Sequence, residues 1–194
     1  MNSLKRLYNW TLDKANHKNA KWYLSLISFA ESSFFPIPPD ILLIPMALAS
    51  KTKAIFYAFI CTFSSVFGGI LGYAIGYYFY NSVGIYIVEF YHLENSFSVF
   101  ENYYKEFGIL IVLGAGITPF PYKFITIASG VFGLNIFLFI IVSIIGRGLR
   151  FYLIAILLYF FGEKIRLIID RYFNLLTIMF FVLLVGSIFI IRYL

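Results

Sequence analysis

The stretch "ESSFFPIPPDILLIP", Glu31–Pro45, governs how the chain is read. Four prolines and two carboxylates stand inside a long apolar region, where a membrane helix wants neither. Before the break lies "WYLSLISFAESSFF" (Trp22–Phe35), and after it "ILLIPMALAS" (Ile41–Ser50). A helix of ~14 residues rises only ~21 Å, short of the ~30 Å hydrocarbon core of a bilayer. Neither arm can span alone. Lys21 precedes the first arm and Lys51 and Lys53 follow the second, so both ends favour one basic side. The stretch 22–50 therefore predicts a re-entrant hairpin that turns at mid-depth. Such backbone is tolerated only where it is buried in protein or lines a wet cavity.

Composition agrees with a membrane setting. The chain of 194 residues is 61% hydrophobic, with a mean hydropathy of +0.88, against ~45–50% apolar in ordinary soluble domains. Its length allows one domain, 1–194. A single cysteine, Cys61, excludes an internal disulfide, and with only His17 and His92 it makes a poor metal set. The first twenty residues carry charge throughout and lack the apolar core of a signal peptide. "SLKRLYNWTLDKA" places Leu4, Leu7, Thr11 and Ala15 at helical spacing. Residues 1–20 thus predict an interfacial helix, or equally a solvated one packed on the body.

Past the first hairpin, Ala54–Tyr80 is long enough to span. Its Gly68, Gly72 and Gly76 recur every four residues, a smooth face for internal packing or for a homo-oligomer. Residues 81–106 carry Glu89, Glu94, Glu101 and Glu106 against Lys105 alone, with an apolar stripe at Phe97, Phe100, Tyr104 and Phe107. They predict an external amphipathic segment. The first pattern then returns: two short apolar arms flank "PFPYK" within 107–133, followed by a span at 134–160. A polar link leads to a last span at 174–193.

The two breaks read Pro36-Ile-Pro38-Pro39-Asp40 and Pro119-Phe-Pro121-Tyr122-Lys123, 83 residues apart. The prolines end the arms and leave backbone carbonyls free for other partners. Each unit has one crossing, so the two units must lie in opposite orientation. The expected fold is an all-α integral membrane protein: an inverted repeat of two re-entrant hairpins, each followed by a transmembrane helix, plus a C-terminal transmembrane helix. With a cytoplasmic N-terminus, the inside holds Lys5, Arg6, Lys14, Lys18, Lys21, Lys51, Lys53, Lys164, Arg166 and Arg171. The outside holds only Lys105 and Arg192. The basic excess is thus read as topology, not as nucleic-acid binding.

Five ionisable groups remain at membrane depth: Glu31, Asp40, Lys123, Arg147 and Arg150. Each costs at least ~2.5–3.5 kcal/mol if it faces lipid, so each needs a partner or water. Repeat symmetry would bring Asp40 to Lys123, either as a proton-exchanging pair or as a permanent ion pair. Arg147 and Arg150, on one helix face, suit a phosphate headgroup or neutralise Glu31 and Asp40. Glu31 is a proton site or the arginines' counter-ion. Tyr122 reads as packing.

"SFAESSFFPIPPDILLIPMALA", "ITPFPYKFITIASG" and "GRGLRFYLIAILLYFFG" together resemble the DedA superfamily, also called VTT-domain or SNARE-associated membrane proteins, and within it the YqaA-like branch. The resemblance covers roughly residues 4–173. It implies a multi-pass bacterial inner-membrane protein with two facing hairpins. It also implies movement of phospholipid or polyprenyl-phosphate-type lipids between leaflets, with a role for the proton-motive force. The family's acids match Glu31 and Asp40, and its essential arginine looks similar to Arg147 or Arg150. Other branches carry a Gly-x-Arg-x-x-Pro-Gly-x-Arg motif. Here Gly116 stands near the first arginine's place, Lys123 is one residue off the second, and Ala115 replaces a basic residue. The expected partners are membrane lipids and protons. The alternatives are a proton-coupled transporter of a small solute or ion, and a scaffold that transports nothing. No nucleophile–base pair, metal-ligand spacing or Gly-rich phosphate loop points to an enzyme or a cofactor.

The topology makes a direct prediction. A reporter fused at the C-terminus is expected to report an external location when expressed in a bacterium. A cytoplasmic signal would overturn the inverted arrangement.

Overall fold

The computed structural model describes residues 19–162, apart from 36, 91–93 and 119, together with residue 164. The last span expected at 174–193 lies outside the described residues. So does the interfacial helix expected at 1–20, except for Asn19 and Ala20, which open the first helix described below.

Among the described residues the secondary structure is helical throughout. Helix α1 is Ala20–Ser33 and α2 is Asp40–Ala49. Between them Pro38 and Pro39 have no backbone N–H to continue a helical ladder. Pro39 caps α2 with φ −66°, already close to helical. Pro45, inside α2, removes the donor that would serve the Ile41 carbonyl. After a 3₁₀ turn at Lys51–Lys53, α3 runs over Ala54–Phe79. It passes through a π-helical turn, Tyr80–Gly84, into α4, Ile85–Phe90.

Helix α5 is Glu94–Ile117, α6 is Tyr122–Val131 and α7 is Ile136–Gly162. The end of α6 and start of α7 are locally specified. Gly133 takes φ 63°, which glycine adopts without strain. Leu134 N–H reaches the Ser129 carbonyl at 2.9 Å and Gly133 N–H the Gly130 carbonyl at 3.2 Å, a Schellman stop. Asn135 Oδ1 then accepts from the N–H groups of Phe137 (3.0 Å) and Leu138 (3.2 Å), capping α7.

α6 and α7 begin 82 residues after α2 and α3, and α2 and α6 have the same length of 10 residues. One expectation is corrected. The external segment at 81–106 and the first arm of the second hairpin are not separate pieces. A single helix, α5, carries the chain from 94 to 117 because no breaker intervenes. Its buried side, Tyr104, Gly108, Val112 and Ala115, keeps helical spacing across the expected boundary.

Glycines let the backbones touch. Gly68 of α3 lies against the Phe29 carbonyl of α1, and Gly76 against the Ile127 carbonyl of α6. Gly130 of α6 lies against the Tyr73 carbonyl of α3. The ridge at 68–76 is thus used inside the chain. Two apolar clusters result. One gathers Leu24, Leu43, Met46, Ala58, Cys61 and Phe151, and the other Val112, Tyr122, Phe139 and Val142. Helix α7 contributes to both. The outward faces are apolar as well: Phe59, Phe63 and Phe67 on α3, and Ile141, Ile145, Leu149 and Leu153 on α7, are exposed. Two stretches, Lys51–Gly84 and Ile136–Gly162, are long and apolar enough to cross a membrane.

A Cβ at Gly68 or Gly76 would collide with a facing backbone carbonyl, whereas one at Gly114 would meet nothing within 4 Å. Gly68→Val and Gly76→Val are each expected to destabilise by roughly 1–3 kcal/mol, by analogy with overpacked cores. Gly114→Ala should leave the unfolding midpoint in detergent unchanged.

Candidate functional site

The two breaks bring four helix ends together: the C-terminal turns of α1 and α5 and the N-terminal turns of α2 and α6. Glu31 sits in the last turn of α1 and Asp40 is the first residue of α2. Arg147 and Arg150, three apart and so on one side of α7, reach both acids. Arg147 Nη2 donates to Glu31 Oε2 at 2.5 Å. Arg150 Nη2 donates to Asp40 Oδ2, and its Nη1 to the Thr118 carbonyl at 2.5 Å. Both acids come from α1 and α2 and both arginines from α7.

The pairing differs from the expected meeting of Asp40 with Lys123. Lys123 lies with Nζ 5.4 Å from the centre of the Phe124 ring. The inward face of α6 is Tyr122, Thr126 and Ser129, all buried, and Lys123 is rotated off it by one helical step. Asp40 is met by the longer fork of Arg150 instead.

Arg147 is the largest fully buried side chain in the described body, at 1% exposure. Its guanidinium lies 4.9 Å from the Tyr122 ring centre and 4.7 Å from that of Phe151, a cation–π contact with each. Its Nε donates to Ser65 Oγ at 2.6 Å. Ser65 and Ser32 share a hydrogen bond of 2.6 Å, and Ser32 Oγ donates to Glu31 Oε2 at 3.1 Å. The four side chains form a closed ring. The other oxygen of Glu31, Oε1, accepts the Tyr122 backbone N–H at 3.4 Å. A carboxylate of α1 therefore stands at the N-terminus of α6, where the helix dipole favours negative charge. Thr126 Oγ1 adds a bond to the Ser32 carbonyl at 2.9 Å, and Tyr122 and Ser143 share one at 2.7 Å.

Several of these residues carry no charge and escape a reading based on ionisable groups. Ser25, Ser28 and Ser32 recur at helical spacing along α1. Ser25 bonds Ser64 at 2.7 Å, Ser28 the Cys61 carbonyl at 2.7 Å, and Ser33 the Gly68 carbonyl at 2.9 Å. That periodicity was the available signal for a polar α1–α3 seam. Of the break prolines, Pro39 is buried, Pro38 half-buried and Pro121 exposed. Pro36 and Pro119 lie outside the described residues.

No family model matches the chain, and no solved structure does. Two curated relatives do. A protein of Haemophilus influenzae described as "Uncharacterized protein" is 39% identical over 158 residues, covering 81% of this chain and 82% of that one. "Uncharacterized protein HI0703 homolog" of Histophilus somni is 38% identical over 161 residues, again 81% and 82%. The chain belongs to their family. Neither relative's description names a ligand or an activity, so the site must be interpreted from its own chemistry.

Removing one member of a buried pair strands the other charge, at about 3–5 kcal/mol. Arg147→Leu is expected to lose that much stability. Glu31→Leu combined with Arg147→Leu should lose less than the two single losses added together. Unfolding of the detergent-solubilised variants measures both, and strictly additive losses would show that the pair is not coupled.

Proposed function

We propose that the chain is an integral membrane protein of the DedA superfamily that moves phosphate-bearing lipids between leaflets. In this reading α3 and α7 cross the bilayer in opposite directions. The two helix–break–helix units enter from opposite faces, and the breaks meet at mid-depth. The apolar outward faces support the membrane setting, because an aqueous protein rarely exposes so many large aliphatic and aromatic side chains on adjoining helices.

The observation that carries the transport reading is the arginine–carboxylate centre at four interrupted helix ends. Discontinuous helices whose ends converge on charged groups are how membrane transporters hold polar cargo within an apolar phase. An arginine fork is suited to phosphate oxygens. The acyl chains would remain in lipid while the headgroup passes the polar centre. The proteins belong, in this reading, to a bacterial inner membrane, with the N-terminus cytoplasmic.

A second reading has its own support. The ring of Arg147, Glu31, Ser32 and Ser65 satisfies its members so fully that it suits a static scaffold. Reconstitution into liposomes with leaflet-specific lipid reporters separates the two. The transporter should accelerate exchange between leaflets, and Arg150→Ala should reduce it by tenfold or more, the scale on which a lost charge-assisted contact acts. An inert wild type, or undiminished exchange by the variant, would favour the scaffold.

A further inference from the structure

The described body is polarised from end to end. Helices α1 and α3 run side by side in the same direction. Ser28 donates to the Cys61 carbonyl, Ser32 shares a bond with Ser65, and Ser33 donates to the Gly68 carbonyl. Their starts therefore lie together, and Ala20 and Ala54 share one apolar cluster. Helix α7 ends at the same place, where Gly162 lies against Leu48 and Lys51. That end carries the exposed Lys21, Lys53 and Lys164. The far end of α3 leads to Tyr80, which stacks on Phe97 of α5 at 4.9 Å. There α4 carries Glu89, and α5 carries Glu101 and Glu106. The 26 residues of α3 separate the two ends by ~39 Å, several times the ~8 Å over which salt screens exposed charge. The lysines thus act on what lies beside them, not on these acids.

A recess of about 200 Å³ opens between α1 and α3, lined by Lys21, Trp22, Ser25 and Ile60. Drug-sized ligands occupy ~300–1,000 Å³, so a recess of this size fits a small polar group. Lys21 and Ser25 are four apart, on one face of α1. Lys21 has no carboxylate partner among the described residues. Ser25 and Ser64 share one hydrogen bond of 2.7 Å. Two hydroxyls joined by one bond leave one O–H over, and it has no acceptor among the described residues. An ammonium and a spare hydroxyl one turn apart suit an oxyanion. Two further features indicate which oxyanion. Trp22 and Tyr23 are 69% and 61% exposed, as amphipathic rings at the level of lipid headgroups are. The exposed Phe63 and Phe67 continue from Ile60 along the outside of α3, away from the lysines. They give an apolar track to a chain attached to the anion.

Resting on the membrane setting proposed above, and not on transport, we propose that this recess binds the headgroup of an anionic phospholipid in the leaflet around the basic end. Lys21 Nζ pairs with the phosphate, and the spare hydroxyl of the Ser25–Ser64 pair donates to it. Trp22 covers the headgroup, and one acyl chain lies along Ile60, Phe63 and Phe67. Lys53 and Lys164 add attraction without contact. A zwitterionic lipid brings its own cation to its phosphate, so an unpaired lysine selects a headgroup of net negative charge. The lipid is held at the rim, and Arg147 and Arg150 stay on their carboxylates.

The test reads tryptophan fluorescence from the full chain in bilayers. Trp10→Phe leaves Trp22 as the one indole. Bilayers of phosphatidylcholine receive a minor fraction of lipid brominated near the carbonyl end of its acyl chains, either phosphatidylglycerol or phosphatidylcholine. Quenching then gives the relative affinity of each lipid for the recess. Phosphatidylglycerol should win by about fivefold, the factor for one lysine at an anionic surface. Lys21→Gln should abolish that preference, Ser25→Ala should weaken it, and Lys105→Gln at the acidic end should leave it unchanged. The comparison of two lipids on one protein needs none of these variants to fold. Equal quenching by both lipids overturns this inference and leaves the membrane setting standing. Quenching by neither overturns the membrane setting and the inference with it. A preference that survives Lys21→Gln, or that Lys53→Gln lowers equally, is diffuse attraction and overturns the site. Displacement by dissolved dimethyl phosphate marks a free-phosphate site and overturns the lipid assignment.

Discussion

Two guanidinium groups on one helix carry the charge around which the rest of the body is arranged. Arg147 is sealed from solvent, and a sealed cation requires a counter-charge in hydrogen-bond contact. Glu31 supplies it from another helix, 116 positions away in the chain. Arg150 imposes the same demand on Asp40 across 110 positions. These two contacts, with the Tyr122 N–H on Glu31, fix how α1 and α2 sit against α6 and α7. The glycine contacts of α3 then set how closely the helices approach, and the apolar clusters fill what remains.

Breaks and charges occur together for a reason that lies in the backbone. A helix that stops inside a packed body leaves unsatisfied N–H groups at one end and carbonyls at the other. A carboxylate answers the first and an arginine the second. Glu31 meets the N-terminal Tyr122 of α6, and Arg150 meets Thr118 just past the end of α5. Side chains that are costly in an intact helix become the groups that close a broken one.

Much of this could be read from the residues. The breaks at Pro36–Pro39 and Pro119–Pro121 located the interrupted helices because proline acts on its own backbone, whatever surrounds it. Apolar length located α3 and α7, and the 83-residue offset of the motif recurs as an 82-residue offset of the helices. Arg147 and Arg150 could be placed on one face by spacing alone. Pairing was less legible. Whether Asp40 meets Lys123 or Arg150 depends on a single step of helix rotation and on side-chain reach, which a motif does not encode. The continuity of α5 was hidden because an acidic, amphipathic stretch followed by an apolar one looks like two pieces when composition is read in blocks. Ser65 and Tyr122 were overlooked as members of the centre because neither is charged, although one holds Arg147 and the other stacks on it.

The division of charge between the two halves of the chain also bears on how the protein is made. Neither half can neutralise itself: the first holds both acids and the second both arginines. During synthesis Glu31 leaves the ribosome 116 residues ahead of Arg147, an interval of roughly 6–23 s at ~5–20 residues per second. Through that interval the acids of the N-terminal half stand without the arginines that pair with them, so that half emerges as an unfinished partner. The two halves share an 82-residue offset of helix starts, but in assembly they are a single unit that closes only when its last charges arrive.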